Sequence, residues 1–370
     1  MKTKTRTQLS VVIFFATFAS LYAYLHFFAV AFFSNQFTWA LLPLASVFSL
    51  GFVLTFVGYW MSSRHPHSSF YFVAWIGYIW MGTFFISLAG AVVGAFWELL
   101  WISSPDLSQA LLLGVILLSS YSLYRGLEFP RVRQEQIKGP PGLRGQRWVQ
   151  ITDLHMGLLH HRKAWLEKVV TTVNSLEADY VFLTGDLVEG RPSIVKPHLE
   201  SLRHVKARTD RLYILGNHEM IHGGAGWENE LREMGWIPLH NEHRLYSFGS
   251  TRLMIAGVPD RMIRRFDPRF ESNPDRALQT SEKVDFRVLL AHEPSSVFDL
   301  QKQTADVILS GHTHGGQIFP FGLLVRMVQP VVARWKTVRG VPIYAHIGTG
   351  LWGPPMRLGT RNEIVLFELV

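Results

Sequence analysis

Five short clusters in the second half of the chain hold most of its chemistry: Asp153-Leu154-His155, Gly185-Asp186, Gly216-Asn217-His218-Glu219, His292 and Gly311-His312-Thr313-His314. Their carboxylates, imidazoles and single carboxamide suit Mn, Fe or Zn. The chain has no cysteine, which excludes thiolate sites and disulfides. Such donors fit hydrolysis of a phosphate ester. That reaction needs a strong nucleophile at neutral pH, neutralisation of developing charge, and an acid for the leaving oxygen. Two divalent ions about 3.5–4 Å apart supply the first two: a bridging water becomes hydroxide, and the phosphoryl oxygens are clamped. Ions so close need a shared anionic ligand, and Asp186 is placed to bridge them. Asp153 and His155, two apart, reach one ion together. Asn217, His292 and His312 suit the other, and His314 can point back to the first.

The elements that must position these clusters are legible in the pattern around them. Arg147–Ile151 reads as a strand that delivers Asp153, and residues 163–176 read as an amphipathic helix. Tyr180–Leu183, Leu212–Leu215, Arg287–Leu290 and Val307–Leu309 are apolar runs of strand length, and each precedes one of the remaining clusters. In an α/β fold such loops gather at the carboxyl ends of adjacent strands, where ligands bind. Each motif alone occurs by chance; the ordered set behind strands is the specific signal.

This ordered set resembles the calcineurin-like metallophosphoesterase superfamily from about Trp148 to Val370. The extended Gly311–Gln317 turn and the tail Met356–Ile364 are similar to its bacterial YaeI/YkuE-like branch, many members of which have membrane segments ahead of the domain. The resemblance implies an α/β fold, a four-layer α/β/β/α sandwich over residues 148–370. It implies one ion on Asp153, His155, Asp186 and His314, and a second on Asp186, Asn217, His292 and His312. His218 matches the family's unliganded catalytic histidine, which stabilises the transition state or protonates the leaving group. Glu219 stands where many relatives have Asp, so a shift in its geometry is expected. No ligand position is substituted, which argues against a pseudoenzyme.

Residues 1–124 are of another kind. Up to Tyr124 the only charged residues are Lys2, Lys4, Arg6, Arg64, Glu98 and Asp106. The mean hydropathy of +0.15 therefore averages two unlike halves. Apolar stretches at about 9–33, 37–61, 70–101 and 107–124 are each long enough to cross a hydrocarbon core of about 30 Å, giving a region of four transmembrane helices. The third exceeds a minimal span, so a tilt or an interfacial turn with Trp97, Glu98 and Trp101 is expected. Lys2, Lys4, Arg6, Arg64 and the basic segment 125–147 flank these stretches, while the loops around Ser34–Gln36 and Ser103–Asp106 have no positive residue. The positive-inside rule then gives a multi-pass protein of the inner membrane with its catalytic domain in the cytoplasm. Glu98 is the one charged group in the apolar stretches and sits at a span end, which favours an anchor over a transporter. Residues 125–147, with Gly139-Pro140-Pro141-Gly142, read as a basic linker that turns the next domain off the last span.

A net charge of +8 fits phosphorylated substrates or anionic lipid. With no basic tail and no RNA-binding pattern, nucleic acid is not an expected partner. The leading expectation is a dinuclear-metal phosphohydrolase of lipid metabolism, with manganese among the candidate ions. It would act on a phospholipid or a lipid-linked pyrophosphate, since members near the resembled branch cleave UDP-2,3-diacylglucosamine. A tethered phosphodiesterase for soluble substrates and a non-catalytic metal-binding sensor are the alternatives. His160 and His161 match no ligand position and read as loop residues, whereas His222 could touch substrate. Arg261, Arg264 and Arg265 read either as a solvated loop or as a phosphate contact. Phe319, Phe321, Leu323, Leu324 and Trp335 read either as core or as a surface that dips into a bilayer.

Overall fold

The computed structural model describes residues 41–64, 71–100, 105–157, 163–262, 270–302 and 304–370. The chain forms two units: Met1–Arg125 with Pro354–Leu358, and Gly126–Gly353 with Gly359–Val370.

Among the described residues the first unit has three helices, α1 (Leu41–Arg64), α2 (Tyr71–Leu100) and α3 (Pro105–Leu127). Helices α1 and α2 pack through small and hydroxyl residues rather than a thick apolar core. Thr55 Oγ1 donates to Gly51 O at 3.0 Å within its own helix and lies 3.3 Å from Gly77 O across the pair. A Cβ added at Gly77 would fall 2.2 Å from the Leu54 carbonyl oxygen, so the backbones meet there only because residue 77 has no side chain. Phe48 and Trp80 meet edge to face at 5.2 Å beside this contact. Leu50, Val93, Leu113 and Leu117 point outward. Among the described residues, two helical stretches are long and apolar enough to cross a membrane, Phe72–Trp97 and Gln109–Leu127; in α1 the apolar stretch is the shorter Ser46–Val57. The expected four-helix region is thus matched by two qualifying spans, and the stretch expected at 9–33 lies outside the described residues.

The second unit holds two six-stranded sheets. One has the order β1-β12-β2-β3-β4-β5. Its strands are β1 (Arg131–Ile137), β12 (Glu363–Leu369), β2 (Arg147–Ile151), β3 (Tyr180–Thr184), β4 (Asp210–Ile214) and β5 (Ile237–Pro238). The other has the order β10-β11-β9-β8-β7-β6, with β10 (Arg334–Val338), β11 (Val341–Ala345), β9 (Val307–Ser310), β8 (Phe286–Ala291), β7 (Thr251–Val258) and β6 (Glu242–Phe248). Strands β2 to β5 run parallel, as do β7, β8, β9 and β11. The expected linker is not loop throughout. Within it β1 pairs parallel with β12, in register from Arg131↔Glu363 to Ile137↔Leu369.

Strand alternation builds three cores. Tyr180 and Phe182 of β3 face Leu253 and Ile255 of β7 in a core between the sheets, with Trp148 fully buried at its centre. Val181 and Leu183 point the other way, onto Leu166, Val169, Val170 and Val173 of helix α4 (Lys163–Ser175). Met254 and Ala256 of β7 face a third core closed by Ala277 and Leu278 of the short helix α8 (Pro274–Leu278) and by Val297. Between α4 and α8 lie α5 (Pro192–Leu199), α6 (Asn217–Ile221) and α7 (Ala225–Glu233). This is the mixed α/β arrangement of two facing sheets with helices outside. It explains why the sequence reads as continuous apolar strands: both faces of each central strand are covered.

Candidate metal centre

Every expected site residue stands just past the carboxyl end of a central parallel strand. Asp153 and His155 follow β2, Asp186 follows β3, Asn217 follows β4, His292 follows β8, and His312 and His314 follow β9. The loops are held in unusual backbone. Asp153, His155, Asp186, His312 and His314 all have positive φ, between 46° and 68°. Such strain in non-glycine residues persists where surrounding bonds over-determine the loop, as happens at functional sites.

Those bonds are present. Asp153 is fully buried and accepts from His312 N at 3.0 and 3.2 Å, so a carboxylate of the first sheet fixes the turn of the second. A Cβ at Gly311 would lie 2.5 Å from Asp153 Oδ2, which is why that turn begins with glycine. Glu219 is also buried and accepts from Gly216 N, Asp186 N and Leu187 N, tying the loop after β4 to the loop after β3. The longer side chain thus performs a bracing role.

Three groups of donor atoms result among the described residues: Asp153, His155 and His314; Asp186, His292 and His312; and His155, Glu189 and His218, each with its atoms within 4.8 Å of one another. In the first, His155 Nε2 faces His314 Nε2 at 3.1 Å, and His314 Nε2 lies 3.4 Å from Asp153 Oδ1. In the second, His292 donates from Nδ1 to Thr184 O at 2.7 Å, which turns Nε2 to the cluster, where a metal ion would displace the proton that nitrogen holds when the imidazole is charged. That Nε2 faces Asp186 Oδ2 at 3.0 Å, and Asn217 Oδ1, buried in the loop after β4, has no hydrogen-bond partner among the described residues. Buried acceptors are rarely left so. Convergent lone pairs on a cation satisfy them, so the residues fit the divalent ions their chemistry implies.

The field agrees. Burial alone would lower His292, yet Asp186 and Asp153 lift it well above the ordinary histidine value. Burial opposes ionisation of Asp186 too, but His292 and His218 hold it well below the usual carboxylate range. For His312, burial and His292 push the value down to about 4, leaving a neutral imidazole. A pocket this negative favours cations.

Glu189 was not among the expected site residues. It lies three residues past Asp186, in Asp186-Leu187-Val188-Glu189-Gly190, and takes three imidazoles at once. His155 Nδ1 and His218 Nδ1 are each 2.6 Å from Oε1, and His222 Nε2 is 3.1 Å from Oε2. The His218 contact is an ion-pair approach rather than an aligned hydrogen bond. Burial would lower His218, but Glu189 and then Asp186 lift it to about 10. Its other nitrogen, Nε2, looks towards Asp186 Oδ2 at 3.9 Å. The only sequence signal for Glu189 is its spacing from Asp186, since its partners come from two other segments, His155 after β2 and His218 with His222 after β4.

The remaining expectations divide. His222 meets Glu189, and Arg261 is engaged by Asp299 through a fork of 2.6 and 3.0 Å, which favours a structural role over a free phosphate contact. Trp335 is half-buried against the core, packed on Tyr344 and Phe367, whereas Phe319, Leu323 and Leu324 are exposed. His160, His161, Arg264 and Arg265 lie outside the described residues.

Comparison with known proteins gives the class. A family model described as calcineurin-like phosphoesterase matches residues 147–316, the span that contains all five clusters. The uncharacterized metallophosphoesterase Cj0846 of Campylobacter jejuni is 30% identical over 70% of this chain and 69% of its own length. A zebrafish (Danio rerio) transmembrane protein with metallophosphoesterase domain is 31% identical over 71% of this chain and 63% of its own. YkuE of Bacillus subtilis, an uncharacterized metallophosphoesterase, is 29% identical over 62% of this chain and 81% of its own. The chain belongs to the calcineurin-like metallophosphoesterase family. It spans roughly two thirds of the length of the first of these relatives, from 63% to 69%.

Proposed function

We propose that this chain is a membrane-anchored, dinuclear-metal phosphohydrolase acting on a lipid-linked phosphoester or phosphoanhydride. The observation that carries the reaction is the pair of donor clusters at strand ends, Asp153 with His155 and His314, and Asp186 with His292 and His312, joined by the partnerless buried Oδ1 of Asn217. Asp153, His155, Asp186 and His314 would hold one ion, and Asp186, Asn217, His292 and His312 the second. Bound there, the ions supply a water of lowered pKa and neutralise charge on phosphoryl oxygens. The chain's own residues do the rest. Glu189 orients His155 and keeps His218 protonated, and His218 Nε2 is the proton source for the leaving oxygen. Glu219 and Asp153 hold the loops against relaxation when substrate binds.

The lipid part of the proposal is supported by the two apolar helices of spanning length and by a relative named as a transmembrane protein. With Lys and Arg gathered on one side, the catalytic unit would face the cytoplasm in a multi-pass inner-membrane protein. The test is turnover by the full chain in detergent with Mn²⁺. Phosphatidylglycerol and a lipid pyrophosphate are set against soluble cyclic nucleotides. Lipid turnover at least about tenfold above the soluble substrates in kcat/KM, a difference of 1.4 kcal/mol, is expected. Turnover of cyclic nucleotides with the lipids untouched would overturn the substrate class and leave a tethered diesterase.

A further inference from the structure

Helix α9 (Phe321–Val328) buries none of its side chains, yet hydrogen bonds hold the chain at both of its ends. It begins directly behind the His312–His314 turn. Gln317 N donates to His314 O, Phe321 N to Ile318 O and Leu323 N to Pro320 O. At its far end the buried Gln329 reaches back to the residues following His292. Its Nε2 donates to Glu293 Oε2 at 3.0 Å, and its Oε1 accepts from Ser295 N at 3.1 Å. A helix fixed at both ends to the loops of the metal centre, and covering no core, has a use for its outer surface.

That surface is apolar. Met327 is 80% exposed, Val328 74% and Phe319 61%, and Leu323 and Leu324 are exposed beside them. Apolar exposure continues towards the site through Trp352. That residue is held by Gln317 through two hydrogen bonds of 2.7 and 3.1 Å, and its ring stands edge-on to His218 at 6.4 Å. Apart from the buried Glu293 beneath Gln329, the charge flanking the helix along the chain has one sign. From Gly311 to Gly340 the chain has no Asp or Glu, and it carries Arg326, Arg334, Lys336 and Arg339, all exposed. An exposed apolar face with exposed cations on either side of it along the chain is the pattern of a helix lying in the interface of an anionic bilayer. A soluble partner of opposite charge would satisfy the cations but leave Met327, Val328 and the two leucines unexplained.

We propose that α9 with Phe319 is an interfacial membrane helix: its apolar face enters the headgroup–acyl boundary of an anionic bilayer, beside the mouth of the metal centre. This rests on the reading that the chain is membrane-bound, and adds to it a second membrane contact made by the catalytic unit itself. It gives a route by which a lipid-linked phosphate reaches His218 past Trp352 without leaving the interface.

The chain has no cysteine, so single cysteines can be placed and labelled one at a time. The experiment uses the full chain in phosphatidylethanolamine–phosphatidylglycerol vesicles with a bimane label at Met327→Cys. Leu113→Cys, on the exposed side of α3, and Lys283→Cys, whose parent side chain is 89% exposed, serve as references. Quenching is read with acyl-chain nitroxide lipids and with aqueous iodide. The proposal expects Met327→Cys to be quenched by the lipid nitroxides and protected from iodide, like Leu113→Cys and unlike Lys283→Cys. Iodide quenching of Met327→Cys with Leu113→Cys still lipid-quenched would overturn the interfacial helix alone. Shielding from both quenchers would overturn it in favour of a protein occupant such as a second copy. A Leu113→Cys label that iodide quenches would remove the membrane reading and this proposal together.

Discussion

The two units of this chain place polarity in opposite ways. In the helical unit the outward residues are Leu50, Val93, Leu113 and Leu117, and the close contact is made by Gly77 and Thr55. In the sheet unit three apolar cores fill the interior, and buried Asp153, His155, Asp186, His292 and His314 gather in adjoining clusters at strand ends. Apolar surface outside implies an apolar surrounding phase. Buried charge that converges implies something of opposite charge to receive it. The same rule, that buried polar groups must be satisfied and apolar surface must be covered, thus fits the proposed membrane for one unit and metal ions for the other.

Substitutions can break each half of this comparison separately. The largest effect outside the ligands is expected at His218. Its alanine variant should lose about 10²–10⁴ in kcat, the usual size of a general acid's contribution, while keeping its metal content. Glu189→Gln should fall less, about 10–100-fold, as partners of ligating or catalytic histidines do. It should also move the alkaline limb of the pH–rate profile to lower pH, because Glu189 is what lifts His218 most. Equal losses for the two variants, with no shift of that limb, would contradict the division of roles.

In the helical unit, Gly77→Leu forces a side chain into the Leu54 backbone. Overpacking of this kind costs about 1–3 kcal/mol, and loss of the α1–α2 contact should appear in detergent unfolding followed by circular dichroism. Hydrolysis of a soluble diester by the folded variant should stay near wild type, since the sheet unit makes its own site. The smallest effect is expected at Glu228, where His240 and Arg232 hold the carboxyl down at about 2. A carboxylate lowered on folding contributes stability that is complete above its unfolded value near 4.5 and fades as pH falls towards 2. Glu228→Gln should therefore unfold at slightly higher pH than wild type in an acid titration and match it in the fully protonated range.

The sequence revealed the sheet unit unevenly, and the reason is physical. Strands that end in ligands were legible because both faces are buried, so Tyr180–Leu183 and Leu212–Leu215 read as unbroken apolar runs. Strand β1 was not. Arg131-Val132-Arg133-Gln134-Glu135-Gln136-Ile137 lies at a sheet edge and buries only Ile137, so its pattern matches a charged linker. The ligand set was legible because its members follow strands at short, fixed offsets. Glu189 escaped because its meaning lies in three imidazoles that only the fold brings together. Arg261 looked free for phosphate until Asp299, 38 residues on, took its fork. Phe319 and Trp335 looked alike as sequence, and pairing of β10 with β11 put one of them against the core and left the other outside.

The central claim is that buried polarity in the sheet unit exists to hold two ions for phosphoester hydrolysis. Metal bound per chain, measured by inductively coupled plasma mass spectrometry on wild type and Asp186→Asn alongside hydrolysis of bis(p-nitrophenyl) phosphate, tests it most directly. The account predicts two ions per wild-type chain. In the variant it predicts loss of at least one ion and, at several kcal/mol of lost charge stabilisation, turnover down by about a thousandfold or more. An Asp186→Asn chain with wild-type metal content and wild-type turnover would contradict it.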